Sequence, residues 1–172
     1  MLKTAGILMI LTAGAGLGFG KGYELLLRER ALGQILLMIR WLKGEICSKQ
    51  VSLHDAFLGV AQQMSGKYRE FLTNTAEKME QSAGMRFADL YRSCAEEVLK
   101  ELPLSKKEWE LFFTMGGTLG YLDLDMQKKQ LEFYEGEFLH SIEELRAEMP
   151  AKKKVYQSLG VMGGILLAIL VW

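Results

Sequence analysis

The side chains able to attack a substrate or hold a metal are few in this chain, and their spacing suits neither task. Cys47 and Cys94 stand far apart, with no Cys-x-x-Cys pair and no Cys/His cluster, so no zinc site and no dithiol redox motif is signalled. Two cysteines in 172 residues do not make a disulfide scaffold, and free thiols fit a reducing compartment. His54 and His140 each stand alone, which favours surface or packing roles over ligation. The stretch Gly116-Gly117-Thr118-Leu119-Gly120-Tyr121-Leu122-Asp123 lacks the spacing and the Lys-Ser/Thr pair of a phosphate loop. Its three glycines, each costing about 1 kcal/mol in a helix interior, predict a helix-loosening corner with close backbone approach, or a partner contact. Carboxylates are plentiful, but solvated helix faces explain them. No nucleophile is paired with a base. These residues predict no enzyme, no cofactor and no metal.

The elements that carry them are helical. The formal charges cancel, 21 basic against 21 acidic, which argues against a nucleic-acid partner. Only two prolines and many Leu, Glu, Lys, Met and Ala indicate an all-α protein, and 49% hydrophobic with 24% charged residues suits a folded domain with membrane segments. Residues 22–151 are enough for one helical bundle of about six helices, with no linker to divide it. The first body helix is expected from Tyr23 to about Cys47, with Leu25, Leu32, Leu36, Ile39, Leu42 and Ile46 as its apolar stripe, widened by Leu26 and Trp41. Ser52 with Asp55 opens a second, carrying Leu53, Ala56, Phe57 and Val60 and ending near Gly66. A third, Lys67 to Gln81, carries Tyr68, Phe71, Leu72, Ala76 and Met79. A fourth, Arg86 to Lys100, carries Phe87, Leu90, Tyr91, Cys94 and Val98. Ser105 and Glu108 form a capping box for a fifth, whose Trp109, Phe112 and Phe113 are expected in the core. The last body helix, Asp125 to Glu148, steps Leu131, Tyr134, Phe138, Ile142 and Leu145 in a near-heptad seam. Its other faces are acidic, with Glu135, Glu143 and Glu144 as candidate docking residues for a basic partner. Pro150 is expected to break this helix.

Both ends read as membrane helices, over residues 1–21 and 152–172. Val155 to Trp172 carries no formal charge, and its eighteen residues reach roughly 27 Å as a helix, close to the ~30 Å bilayer core. Lys152, Lys153 and Lys154 precede it, and Trp172 is a fitting interfacial aromatic. Leu2 to Gly20 carries only Lys3 and also resembles a signal peptide, with Ala13-Gly14-Ala15 as a cleavage site. Charge decides between the two. Lys21, Arg28 and Arg30 follow the first segment as the three lysines precede the second, so both basic flanks belong to the central domain. Basic flanks stay cytoplasmic, which predicts an uncleaved hairpin with a cytoplasmic body. Gly14, Gly16, Gly18 and Gly20, with Gly160 and Gly164, give small residues four apart that would let these helices pack on each other or on another subunit.

Leu42-x-x-Glu45-Ile46, Ser52-Leu53-x-Asp55-Ala56, Thr118-Leu119-Gly120-x-x-Asp123-x-x-x-Gln127 and Ser158-Leu159-Gly160-Val161, in this order and spacing, resemble the stage III sporulation protein AB family over nearly the whole chain. Cys47-Ser48-Lys49 departs from a Tyr-Gly turn common in that family, and Ser52 from a proline. The resemblance implies a non-enzymatic subunit in the mother-cell-derived membrane around the forespore. That subunit is similar to the platform proteins of type II secretion and type IV pilus machines. It would dock a secretion-type ATPase, stage III sporulation protein AA, beside other subunits of the channel complex, with homo-oligomerisation open. Gly116, Thr118, Gly120, Asp123 and Gln127 are then candidate partner contacts. The residues alone serve equally a stand-alone membrane scaffold or receptor, while an enzyme of lipid or wall chemistry would need titratable residues gathered in one pocket. A cytoplasmic body is testable directly. Protease added to spheroplasts should leave residues 22–151 intact, and their digestion from outside would reverse the topology.

Overall fold

The computed structural model describes the backbone of residues 2–81, 84–119 and 124–171. Side chains are described within Gly20–Gly163, apart from residues 21, 82, 83, 120–124, 157, 160 and 161. Among the described residues six helices follow in order: α1 Leu2–Lys49, α2 Leu53–Gln63, α3 Gly66–Gln81, α4 Phe87–Val98, α5 Lys106–Leu119 and α6 Leu124–Val171. The described residues contain no strand, as the composition requires. The chain groups into two compact units, Ala31–Ile142 and the joined ends Met1–Arg30 with Glu143–Trp172.

Local chemistry sets the helix starts in the Ala31–Ile142 unit. Ser105 and Glu108 form the reciprocal box: the Glu108 N–H donates to Ser105 Oγ at 3.3 Å, and the Ser105 N–H donates to Glu108 Oε2 at 2.6 Å. At α2, Ser52 Oγ accepts from the Asp55 N–H at 3.1 Å and donates to its carboxylate at 2.7 Å. Left-handed residues make the turns: Gln50 (φ 52°) closes α1 and Gly66 (φ 59°) leads into α3.

The core of this unit is built around one aromatic ring. Tyr91 of α4 is fully buried and meets Phe57 of α2, Phe71 of α3, Phe87 of its own helix and Phe112 of α5, at centroid distances between 5.2 and 6.3 Å. α5 can come this close because Gly116 faces the ring: a Cβ there would lie 2.0 Å from Tyr91 Cδ1. The Tyr91 hydroxyl has no hydrogen-bond partner among the described residues. Burial pushes its pKa well above the ordinary phenol value.

Leu32, Leu36, Ile39, Leu42 and Ile46 are buried on α1, and the α6 seam of Leu131, Tyr134, Phe138, Ile142 and Leu145 is buried throughout. Of the three α5 aromatics expected inside, only Phe112 is buried. Trp109 and Phe113 stack on one another at 5.3 Å toward the surface, with the Arg92 guanidinium 4.4 Å from the Phe113 ring centre. A cation over the ring face supplies there what a hydrophobic neighbour would supply inside. α1 and α6 are also tied by charge. Glu135 accepts from Arg40 Nε at 2.8 Å and from Lys43 Nζ at 2.6 Å. The Lys43 bond, with the Arg40 bond behind it, holds its carboxyl below the usual range against partial burial.

In the second unit, Arg146 Nε donates to Glu29 at 2.6 Å, and a Cβ at Gly22 would lie 3.5 Å from Lys153 Cγ. Pro150 corrects the expectation: it lies inside α6, which continues to Val171. Proline removes one i→i−4 bond, here to the Arg146 carbonyl, while its fixed φ is itself helical. Glu148 pairs with Lys152 in the favourable i,i+4 order and spans the gap. Likewise α1 runs unbroken through Gly20 and Gly22, joining the N-terminal segment to the helix expected from Tyr23. Among the described residues no helix is long and apolar enough to cross a membrane, and most side chains of the expected spans 1–21 and 152–172 lie outside them.

Packing around the adjacent glycines predicts opposite outcomes. Gly116→Ala should destabilise by about 2–3 kcal/mol through the Tyr91 clash. A Cβ at Gly117 meets only Ala88, at 3.6 Å, so Gly117→Ala should be neutral or up to ~1 kcal/mol stabilising. Tyr91→Phe should gain about 1 kcal/mol by removing an unpartnered hydroxyl. Denaturant titration of the full chain measures all three, and equal losses at both glycines would refute the close approach. Glu135 gives a pH signature. Its pKa is lowered on folding from the ordinary 4.5, so its stabilisation is complete above that value and is lost as pH falls through the lowered one. Glu135→Gln should cost on the order of 1 kcal/mol at neutral pH. The gap to wild type should close in acid, and a pH-independent gap would mean the charge is not what holds the two helices.

Candidate functional site

The end of α5 and the start of α6 are tied together. α5 does not break at Gly116 but continues through Gly117 and Thr118 to Leu119, because the missing Cβ is used for helix packing. Thr118 Oγ1 donates to the Met115 carbonyl at 2.8 Å, and Gln127 Nε2 reaches back from α6 to the Leu119 carbonyl at 2.9 Å. Gln127 thus satisfies an orphan carbonyl at the end of α5 and fixes where α6 begins. Thr118 also hydrogen-bonds Tyr134, whose phenol is raised by burial against that bond. Gly120 and Asp123 lie outside the described residues.

The acidic candidates divide. The Glu135 carboxylate is bound to Arg40 and Lys43. Glu143 and Glu144 are exposed. Gly20 has open space around its Cβ position, whereas Gly14, Gly16, Gly18, Gly160 and Gly164 lie where only the backbone is described.

Glu45 of the first motif is buried, with its neighbours Leu42 and Ile46, at 6% exposure. Its carboxylate fits against Gly59 of α2, where a Cβ would lie 3.1 Å from the carboxyl carbon. Lys49 Nζ donates to it at 2.7 Å, offsetting the cost of an acid near a helix C-terminus. His54 sits with Nδ1 3.3 Å from Asp55 and Nε2 3.3 Å from Glu80, bridging the start of α2 and the end of α3.

A cleft of about 1040 Å³ escaped the sequence reading. It opens where the end of α1, the start of α2 and the start of α6 meet, and Arg40, Lys43, Cys47, Val51, Leu53 and Lys128 line it. The i,i+3 spacing of Arg40 and Lys43 was visible in the sequence; the arrival of Lys128 from a distant helix was not.

Among the described residues no group of His, Cys, Asp and Glu could hold a metal. Burial raises the Cys47 thiol, so it is not an activated nucleophile, and Cys94 is fully enclosed.

Comparison with known proteins places these features. A solved structure of stage III sporulation protein AB superposes with a TM-score of 0.63 at 20% identity, covering 72% of this chain and 96% of that one; it supports the fold. No curated protein matches the chain. The family model described as "Stage III sporulation protein AB" matches residues 3–172. With that match spanning both ends and the helical body between them, the chain belongs to the stage III sporulation protein AB family of sporulation proteins.

Proposed function

We propose that this protein is a non-enzymatic membrane platform subunit of a secretion-like channel complex between mother cell and forespore, and that its helical body docks a cytoplasmic secretion-type ATPase. The observation that carries this reading is the family match over residues 3–172, which takes in both apolar ends as well as the body. The geometry supports it. The motif residues Glu45 and Gln127, with Gly116 beside the second of these motifs, are used for packing and capping, which makes the body rigid. A rigid body suits the task of passing a conformational change from an ATPase ring to other membrane subunits. The apolar ends, residues 1–21 and 152–172, anchor it, with the body on the cytoplasmic side where the ATPase lies.

The exposed carboxylates Glu143 and Glu144 are one candidate contact, and the sequence stretch from Gly116 to Asp123 is another. Glu135 is spared in the test because reversing it would break an internal ion pair. Mild detergent extraction from sporulating cells, with a tag on this chain, should co-purify a secretion-type ATPase. Glu143→Lys should reduce its recovery about five-fold while the thermal transition stays unchanged. Recovery of the other membrane subunits without any ATPase would leave a scaffold and remove the docking role.

A further inference from the structure

We propose that the basic cleft of the Ala31–Ile142 unit is a docking site for an acidic segment of a partner protein. Three cations line it, Arg40, Lys43 and Lys128, against one lining carboxylate, Asp125. Glu135 reaches Arg40 only through Nε and Lys43 through one donor. The terminal guanidinium nitrogens and two Lys43 donors are left for a second acceptor. The same contact orients both side chains before anything binds, which lowers the ordering cost of binding.

Size and lining select the class of occupant. A volume of about 1040 Å³ far exceeds what a small inorganic anion fills and lies at the upper end of ordinary ligand pockets. A nucleotide is disfavoured by the walls: no aromatic ring among the lining residues offers a stacking surface, and no glycine-rich loop wraps a phosphate. Val51, Leu53 and Cys47 instead give an apolar strip beside the cations. That strip suits the aliphatic stems of glutamates and their apolar neighbours in a polypeptide. The inference stands on the cleft and does not depend on which protein of the complex supplies the segment.

Cys47 lines the cleft and is partly exposed, whereas Cys94 is fully buried, so alkylation of Cys47 reports occupancy. In the full chain in detergent at low salt, an octaglutamate peptide should slow maleimide modification of Cys47 by about five-fold or more. About 1 M salt should abolish the protection, because screening then acts within ~3 Å. An octaglutamine peptide should give none. Lys128→Glu should cut the octaglutamate protection below about two-fold relative to its own unprotected rate. Lys128→Arg should keep the protection, and circular dichroism should show both variants folded. Absent protection, equal protection in Lys128→Glu, or equal protection by octaglutamine would overturn the site. Equal protection by inorganic pyrophosphate would overturn the polypeptide assignment. None of these failures touches ATPase co-purification, so the platform reading is decided separately.

Discussion

The contact between the Tyr91 ring and the bare backbone at Gly116 is the constraint on which the Ala31–Ile142 unit depends. Four helices meet at that ring, and each supplies an aromatic partner: Phe57, Phe71, Phe87 and Phe112. Edge-to-face and tilted ring pairs have narrow geometric optima, so one large residue at the centre fixes several helix positions together. The arrangement needs a helix backbone close to a ring face. That is why glycine sits in the middle of α5 despite its poor helix propensity, and the local cost is offset by tertiary packing. The unpartnered Tyr91 hydroxyl is a residual cost of placing a tyrosine there.

Around this centre, polar contacts set register rather than supply the bulk of the stability. The Ser105–Glu108 box decides where α5 starts, and Gln127 ties the start of α6 to the end of α5. Glu45 against Gly59 fixes the end of α1 on α2. Glu135 joins α1 to α6 at 20% side-chain exposure, where an ion pair is screened less than at the open surface. A slip of one turn between α1 and α6, or between α5 and α6, would strand one of these groups without its partner. Stranding is far costlier than the bond itself is worth, so the contacts act as locks on alignment.

Features carried by local spacing were legible in the sequence, and features carried by convergence were not. The α6 seam, the α1 stripe from Leu32 to Ile46 and both serine caps depend on residues within a few positions of each other, and each stands where local spacing put it, while Leu25, Leu26 and Trp41 are only half-buried. Pro150 was misread because a proline rule weighs one missing hydrogen bond and not the Glu148–Lys152 pair that spans it. Trp109 and Phe113 were misread because size alone argued for burial, while Arg92 makes a surface position tolerable. Glu135 read as part of a solvated acidic face because its partners lie more than ninety residues away in sequence. The basic cleft was invisible for the same reason.

Leu42-x-x-Glu45-Ile46 and the Thr118 to Gln127 pattern brought the family to light, yet in the structure their described residues pack, cap and align. Gly116, beside the second pattern, does so as well. A motif of this kind identifies a fold because the fold fails without it. Partner choice needs groups that can differ without unfolding the chain, and exposed charges such as Lys128 and Glu143 meet that condition. On the proposed reading, recognition falls to side chains that no local pattern marks, drawn together by helices that the packing motifs hold in place.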